Sequence, residues 1–286
     1  MSVTIAVIAM GEMGAGVAAR LVQRGARVRT NLSGRGQASV ERARAAGVEA
    51  VADDHALVSG ADFILSIVPP ARAGDLARRL LPAILALGPD RPVYVDCNAV
   101  APQTVRAIAE PFLAAGVVFV DAGIVGGPPT ASGYNPRVYA SGDANWTAAT
   151  LSELDLDMRP MGGKVGDASA LKMAYAGTTK GTSAVMISML LGAARAGVAD
   201  ALIAEMKHSL PGRLEATVDG LPMVYRKAYR WDGEMEEIAK FLLPETGGST
   251  IFQGAAELYR ALAADYAEGP ATERMALLAT FGDKDG

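Results

Sequence analysis

The stretch that decides the fold is Ala9-Met10-Gly11-Glu12-Met13-Gly14. It follows residues 3–9, a continuous apolar run with β-branched members, which reads as a strand buried on both faces. It opens residues 11–24, where Val17, Ala18 and Leu21 share one helical face and Gly25 supplies the stop. A glycine-rich turn between a first strand and a first helix is the dinucleotide fingerprint G-x-G-x-x-G, here with Ala9 in place of its first glycine. Gly11 lets backbone approach a pyrophosphate, and Gly14 lets the helix pack on the strand. Glu12 and Met13 complete the turn, whose helix start offers N–H groups and a positive dipole end to phosphates. An imperfect glycine motif alone would be an ordinary turn; its place after an N-terminal strand makes it a cofactor-binding candidate.

Working outward, strand-like runs at 26–31, 48–52, 61–68, 92–97 and 117–121 alternate with helical stretches at 37–46, 72–87 and 102–115. The run at 117–121 leads to Gly126-Gly127-Pro128-Pro129, and residues 138–141 look like another strand. Alternation at this spacing predicts a mostly parallel, doubly wound sheet with right-handed crossovers, an α/β Rossmann domain. After Gly166 strand signals vanish and helical periodicity runs nearly to the end, punctuated by Pro211, Pro222 and Gly247-Gly248. Residues 167–195 lack proline and predict one helix of about 40 Å. The expected domains are a cofactor-binding Rossmann domain at 1–163 and an all-α domain for substrate and dimerisation at 164–286, opening on that long helix.

The end of the second strand discriminates between cofactors. An NAD site wants a carboxylate there for the ribose 2′-hydroxyl. This chain offers Asn31, Ser33 and Arg35, with no carboxylate among residues 31–35 to repel a 2′-phosphate. Ser33 can donate a hydrogen bond and Arg35 can bind a phosphate bidentately, so NADP(H) is favoured over NAD. The bland alternative is a polar loop with a solvated arginine.

Composition narrows the partners. Lys and Arg total 27 against 31 Asp and Glu, a formal charge of −4, which argues against a nucleic-acid partner. The first apolar run is too short for a membrane span, and 183–191 reads as a buried helix. The single cysteine, Cys97, permits no intrachain disulfide and suits a reducing cytoplasm; a pocket thiol is the sharper, less favoured reading. His55 and His208 fit no metal-ligand pattern, and no metal is expected. Asp53-Asp54 reads most simply as a solvated turn.

Lys172 sits in Gly166-Asp167-Ala168-Ser169-Ala170-Leu171-Lys172, entering the long apolar helix beside Leu171, Met173 and Ala174. A lysine desolvated in a cleft can hold or donate a proton at neutral pH. For a lysine picked at random a solvated helix face would be the better reading; these neighbours favour the functional one.

These pieces resemble the β-hydroxyacid dehydrogenase family, whose relatives include 3-hydroxyisobutyrate and 6-phosphogluconate dehydrogenases and the imine reductases. The family's D-x-S-T-x-x-P motif matches Asp96-Cys97-Asn98-Ala99-Val100-Ala101-Pro102. Its D-A-P-V-S-G-G motif matches Asp121-Ala122-Gly123-Ile124-Val125-Gly126-Gly127, and its G-x-G-x-x-x-K-x-x-N-N helix start aligns its lysine with Lys172. Residues 229–238, Tyr-Arg-Trp-Asp-Gly-Glu-Met-Glu-Glu-Ile, look like a subgroup with its own helical C-terminal domain.

The resemblance implies hydride transfer between the nicotinamide and a carbinol or carbonyl carbon, with Lys172 as general acid/base. It also implies that Val68, Pro69 and Pro70 line the nicotinamide and that Asn98 lies at the edge of cofactor and substrate. Gly126 and Gly127 would present backbone to a substrate carboxylate. Val125 stands where the family carries the serine that binds that carboxylate. Tyr175 and Ala176 replace its two asparagines, which points to a bulkier or less polar small-molecule substrate. Trp231 reads equally as a substrate-cleft residue and as buried packing. An apolar helical tail, together with the resemblance, predicts a homodimer. Two rival readings stay open: an imine reductase, favoured by Val125 and Tyr175 but disfavoured by Lys172, and a non-catalytic NADP-binding sensor.

Overall fold

The computed structural model describes residues 3–130 and 132–281. The chain divides into two units, Met1–Met173 and Ala174–Gly286.

The first unit carries an eight-stranded sheet. Its strands are β1 (Thr4–Ile8), β2 (Arg27–Asn31), β3 (Glu49–Val51), β4 (Phe63–Ser66), β5 (Val93–Asp96), β6 (Phe119–Val125), β7 (Arg137–Gly142) and β8 (Asp157–Pro160). Its helices are α1 (Glu12–Gln23), α2 (Gln37–Ala45), α3 (Asp54–Val58), α4 (Pro70–Leu85), α5 (Pro102–Ala114) and α6 (Asn145–Glu153), followed by most of α7 (Asp167–Ala176). The strand order is β3-β2-β1-β4-β5-β6-β7-β8, and every neighbouring pair is parallel except β6 with β7.

The unbroken apolar run in β1 follows from burial on both sheet faces. Ile5 and Val7 join Val17 and Leu21 of α1 in one core, whereas Ala6 and Ile8 join Leu76 and Leu80 of α4 and Phe112 of α5 in the other. Consecutive side chains point to opposite faces, so both parities must be apolar. The predicted mostly parallel Rossmann sheet is therefore present.

Three short elements escaped the sequence reading: α3, α6 and β8. The last is an edge strand whose polar Asp157-Met158-Arg159-Pro160 lacks a strand signature, because an edge tolerates charge and proline. Strand β6 also runs four residues beyond the expected Asp121, through Gly123 to Val125. A strand carrying glycine in its interior reads weakly in sequence.

In the second unit α7 gives way to a π-helical segment (Gly177–Gly181), then α8 (Thr182–Arg195), α9 (Ala199–Ser209), α10 (Pro211–Phe241), α11 (Thr246–Glu268) and α12 (Glu273–Ala279). Helices α10 and α11 lie antiparallel: Tyr225 stacks on Tyr266, Trp231 meets Tyr259, and Arg260 pairs with Asp232 and Glu236. Phe252 of α11 packs where Cβ atoms on Gly177 and Gly181 would stand, at 3.1 and 2.5 Å, so these two glycines admit its ring.

The expected break at Pro222 does not occur; it lies inside the 31-residue α10. A mid-helix proline removes one hydrogen bond and costs about 3 kcal/mol. Burial of Leu221, Val224, Ala228, Trp231 and Met235 along the same helix outweighs that loss. Among the described residues no helix is long and apolar enough to cross a membrane.

Candidate active site at the carboxyl ends of the strands

Strand order reverses between β1 and β4, and the crevice outside such a switch point is where doubly wound sheets bind ligands. The turn after β1 is built for it. A Cβ on Gly14 would lie 1.9 Å from the Ala9 carbonyl oxygen, so only glycine lets α1 start this close to the strand. Gly11, the N-cap of α1, makes no side-chain cap, and a Cβ there would meet nothing within 4 Å. The helix start is thus open towards solvent, flanked by exposed Glu12 and half-buried Met13. Open N–H groups in a cradle of this kind fit a dinucleotide pyrophosphate.

The loop after β2 is more ordered than a solvated turn. The Asn31 side-chain amide donates to Asp54 at 3.0 Å, while its Oδ1 accepts from the Ser33 backbone N–H at 2.9 Å. Asp54 also pairs with Arg79 at 2.9 Å, and Asp53 caps α3 through the Ala56 N–H. The simple solvated-turn reading of Asp53-Asp54 is corrected accordingly: Asp54 orients Asn31. Ser33 and Arg35 are exposed, and the Ser33 hydroxyl donates to the Ala52 carbonyl oxygen at 3.5 Å. Arg35 makes no ion pair with any described residue.

Beyond β4 and β5, Val68, Pro69 and Pro70 lead into α4, with Pro70 its first residue. The Val68 N–H donates to Asn98 Oδ1 at 2.7 Å. Asn98 is buried, and its amide donates to Ser66 and Asp96. Its side chain therefore fastens the Val68 loop from beneath.

Asn98 sits at one end of a polar row. Ser66, Asp96, Asp121 and Ser141 are register partners across β4, β5, β6 and β7, and all four are buried. Burial, reinforced by the neighbouring charge of Asp121 against the hydrogen bonds from Asn98, pushes the Asp96 carboxyl up to about 7. Its Oδ2 has no hydrogen-bond partner among the described residues. Burial and the adjacent carboxylates also push the Cys97 thiol up, which removes the chemistry expected of a reactive pocket thiol.

Asp121 is fully satisfied. Its Oδ2 accepts from the Gly166 N–H at 2.8 Å, the Ser169 N–H at 3.0 Å and the Ser141 hydroxyl at 3.0 Å. Its Oδ1 accepts from the Ser169 hydroxyl at 2.7 Å, and Ser141 Oγ in turn accepts from the Ala168 N–H at 3.0 Å. A strand carboxylate thus caps the start of α7. One turn on, half-buried Lys172 lies over β6: a Cβ placed on Gly123 would stand 3.1 Å from Lys172 Cβ and 3.0 Å from the Ala168 carbonyl oxygen.

At the end of β6, Val125 is half-buried and Gly126 and Gly127 are exposed. Gly126 has φ +130°, a backbone region closed to other residues. The Gly127 N–H donates to the Tyr134 hydroxyl at 3.3 Å. Tyr134, half-exposed beside this turn, is a polar group the sequence reading missed; only its proximity to the Gly-Gly turn marks it.

Tyr175 and Trp231 belong to the second unit. Tyr175 is exposed. Trp231 is 6 % exposed, packed edge-on against Tyr259 and 5.3 Å from the Lys180 ammonium, which pairs with the buried Glu234 carboxylate. Of its two readings, packing matches this placement. Among the described residues no cluster of His, Cys, Asp or Glu is arranged to hold a metal ion.

The first unit thus has the architecture of a Rossmann-type dinucleotide-binding domain. Residues 4–154 match the NAD-binding domain of 6-phosphogluconate dehydrogenase, and residues 193–262 match a domain of unknown function, DUF1932. A conserved protein of unknown function, described as structurally similar to 3-hydroxyacid dehydrogenases, is 30% identical with a TM-score of 0.63; the match covers 92% of this chain and 99% of that one. The 3-hydroxyisobutyrate dehydrogenase of Pseudomonas aeruginosa is 27% identical over 72% of this chain and 65% of its own length. A Mycobacterium tuberculosis 3-hydroxyisobutyrate dehydrogenase solved with L-serine shares the fold, with a TM-score of 0.72 at 19% identity over 98% and 99% of the two chains. The chain belongs to the β-hydroxyacid dehydrogenase family, with a hydroxyacid dehydrogenase-like NAD(P)-binding fold and a helical C-terminal region.

Proposed function

We propose that this protein is an NADP(H)-dependent oxidoreductase acting on the hydroxyl or carbonyl carbon of a β-hydroxyacid-like substrate. The observation that carries the reading is Lys172, held over β6 in the same unit as the open start of α1 and the Gly126-Gly127 turn. In this reading the α1 start holds the pyrophosphate, Ser33 and Arg35 hold a 2′-phosphate, and Val68, Pro69 and Pro70 line the nicotinamide. The bound nicotinamide supplies the hydride in reduction and takes it up in oxidation.

Lys172 handles the proton. As the carbonyl carbon gains hydride, the carbonyl electron pair moves to oxygen, and the Lys172 ammonium donates a proton to that oxygen. The neutral amine left behind regains a proton from solvent. In the reverse direction the amine accepts the hydroxyl proton. Gly126 and Gly127 present backbone to the substrate carboxylate, which takes the Gly127 N–H in place of the Tyr134 hydroxyl. Val125 offers no hydroxyl there, so the site favours an acid with apolar bulk beside its carboxylate. A homodimer is part of the proposal, because Val185 and Met189 of α8 and Ile251 of α11 stay more than half exposed. Light scattering at micromolar concentration should give twice the monomer mass.

The test follows NADPH absorbance with 3-oxoacids of graded side-chain size and a cyclic imine, and NADP+ reduction with 3-hydroxyisobutyrate. Turnover on an oxo- or hydroxyacid is expected. Lys172→Met should lower it by roughly 10²–10⁴ while leaving NADPH affinity unchanged, because the variant keeps length and packing but loses the proton. Turnover of the imine alone, surviving in Lys172→Met, would move the reading to an imine reductase, for which Tyr175 is the candidate donor. Tight NADPH binding without any turnover would leave a cofactor sensor.

A further inference from the structure

We propose that Asp121 and Gly123 are positioning residues for Lys172, seating α7 on β6 at two points and so setting where the amine stands. The inference rests on the reading of Lys172 as the proton carrier and says what holds it in place.

The first point is the Asp121 cap. A buried carboxylate is stable only when its oxygens are bonded, and here four donors converge on it, three of them from the start of α7. A negative charge at a helix start also meets the positive end of the helix dipole. Ser141 extends the cap across the sheet by accepting from the Ala168 N–H. The second point is Gly123, two residues along on the same face of β6. A Cβ there would press on both the Ala168 carbonyl and Lys172 Cβ. The resembling family motif carries proline at this position, where this chain has glycine and so no Cβ between strand and helix. Cap and contact bracket Ser169 to Lys172, less than one and a half turns of helix. Lys172 is thereby fixed to the strand rather than to the rest of the long helical run.

Competitive acetylation of the full-length protein with acetic anhydride, read peptide by peptide by mass spectrometry, measures this without any substrate. Gly123→Ala and Gly123→Val form a graded pair that pushes α7 outward, and Asp121→Asn removes the charge of the cap. The rate at Lys172 should rise with the size of the side chain at 123, by roughly threefold or more for Val, as the amine leaves its half-buried seat. Exposed Lys207 on α9 should label as in the wild type. If Asp121→Asn does not fold, Ser169→Ala removes one of the four bonds and replaces it in the series. A flat rate at Lys172 across folded variants would overturn the proposal. So would an equal change at Lys207, which marks general loosening. Neither result depends on turnover, so failure of the proton-carrier reading, seen in Lys172→Met, is distinguishable from failure of the seat.

Discussion

Two helices of the first unit start against the sheet, and they start in opposite ways. Helix α1 begins at Gly11 with no side-chain cap and open space above it; α7 begins beneath a buried carboxylate that takes up its N–H groups. Both use glycine to bring helix and strand together, but from different partners. At α1 the glycine is on the helix, Gly14 against the Ala9 carbonyl; at α7 it is on the strand, Gly123 beneath Lys172. The comparison separates two uses of a helix end. An open end has its dipole and N–H groups available for a phosphate brought from solution. A sealed end has them satisfied from within the protein, and what it offers instead is a side chain held at a fixed place.

The largest effect that would sharpen this contrast comes from Gly14→Ala. Its Cβ overlaps backbone that cannot swing aside, so α1 must move off β1 and its N–H groups leave the pyrophosphate. NADPH affinity measured by fluorescence should fall roughly 100-fold, as when a fixed binding geometry is displaced by about an ångström. Affinity within twofold of the wild type would show that the open end is not the phosphate site.

A smaller effect comes from the polar row beneath the sealed end. Burial pushes the Asp96 carboxyl up from its ordinary range to about 7 in the folded protein. The native state therefore keeps a proton that the unfolded chain releases, and stability present below about pH 4 is lost as pH rises to about 7. Asp96→Asn keeps the shape and removes the titration. The wild-type melting temperature should drop by several degrees between pH 5 and pH 7.5, and the variant's by less (roughly 2–4 °C follow each kcal/mol in a domain of this size). Parallel pH curves for the two proteins would show that Asp96 is not titrating there.

The open end was legible in the sequence and the sealed one was not, for a physical reason. Gly11, Gly14 and the apolar run before them lie within a dozen residues, and strand, turn and helix are local. The Asp121 cap joins residues 20 and 48 positions apart, and its row depends on the register of four strands. Asp121, Ser141 and Ser169 each look like ordinary polar residues until that register is known. The bonds of Asn98 to Ser66 and the Val68 N–H are likewise non-local and have no sequence signal. Tyr134 and Asp54 became visible only through what they touch, the Gly127 N–H and the Asn31 amide. Lys172 could be singled out by its apolar neighbours and its place in a helix start, but not by what seats it.

In the proposed reading the open start of α1 and, in the loop after the neighbouring strand β2, Ser33 and Arg35 take a 2′-phosphorylated dinucleotide. Paired fluorescence titrations of the wild type and Arg35→Ala with NADPH and NADH test it most directly. The account predicts tighter binding of NADPH by the wild type, and a loss of roughly tenfold for NADPH with little change for NADH in Arg35→Ala, the size of one charge-assisted phosphate contact. Tighter binding of NADH by the wild type, or equal losses for both cofactors in the variant, would contradict it.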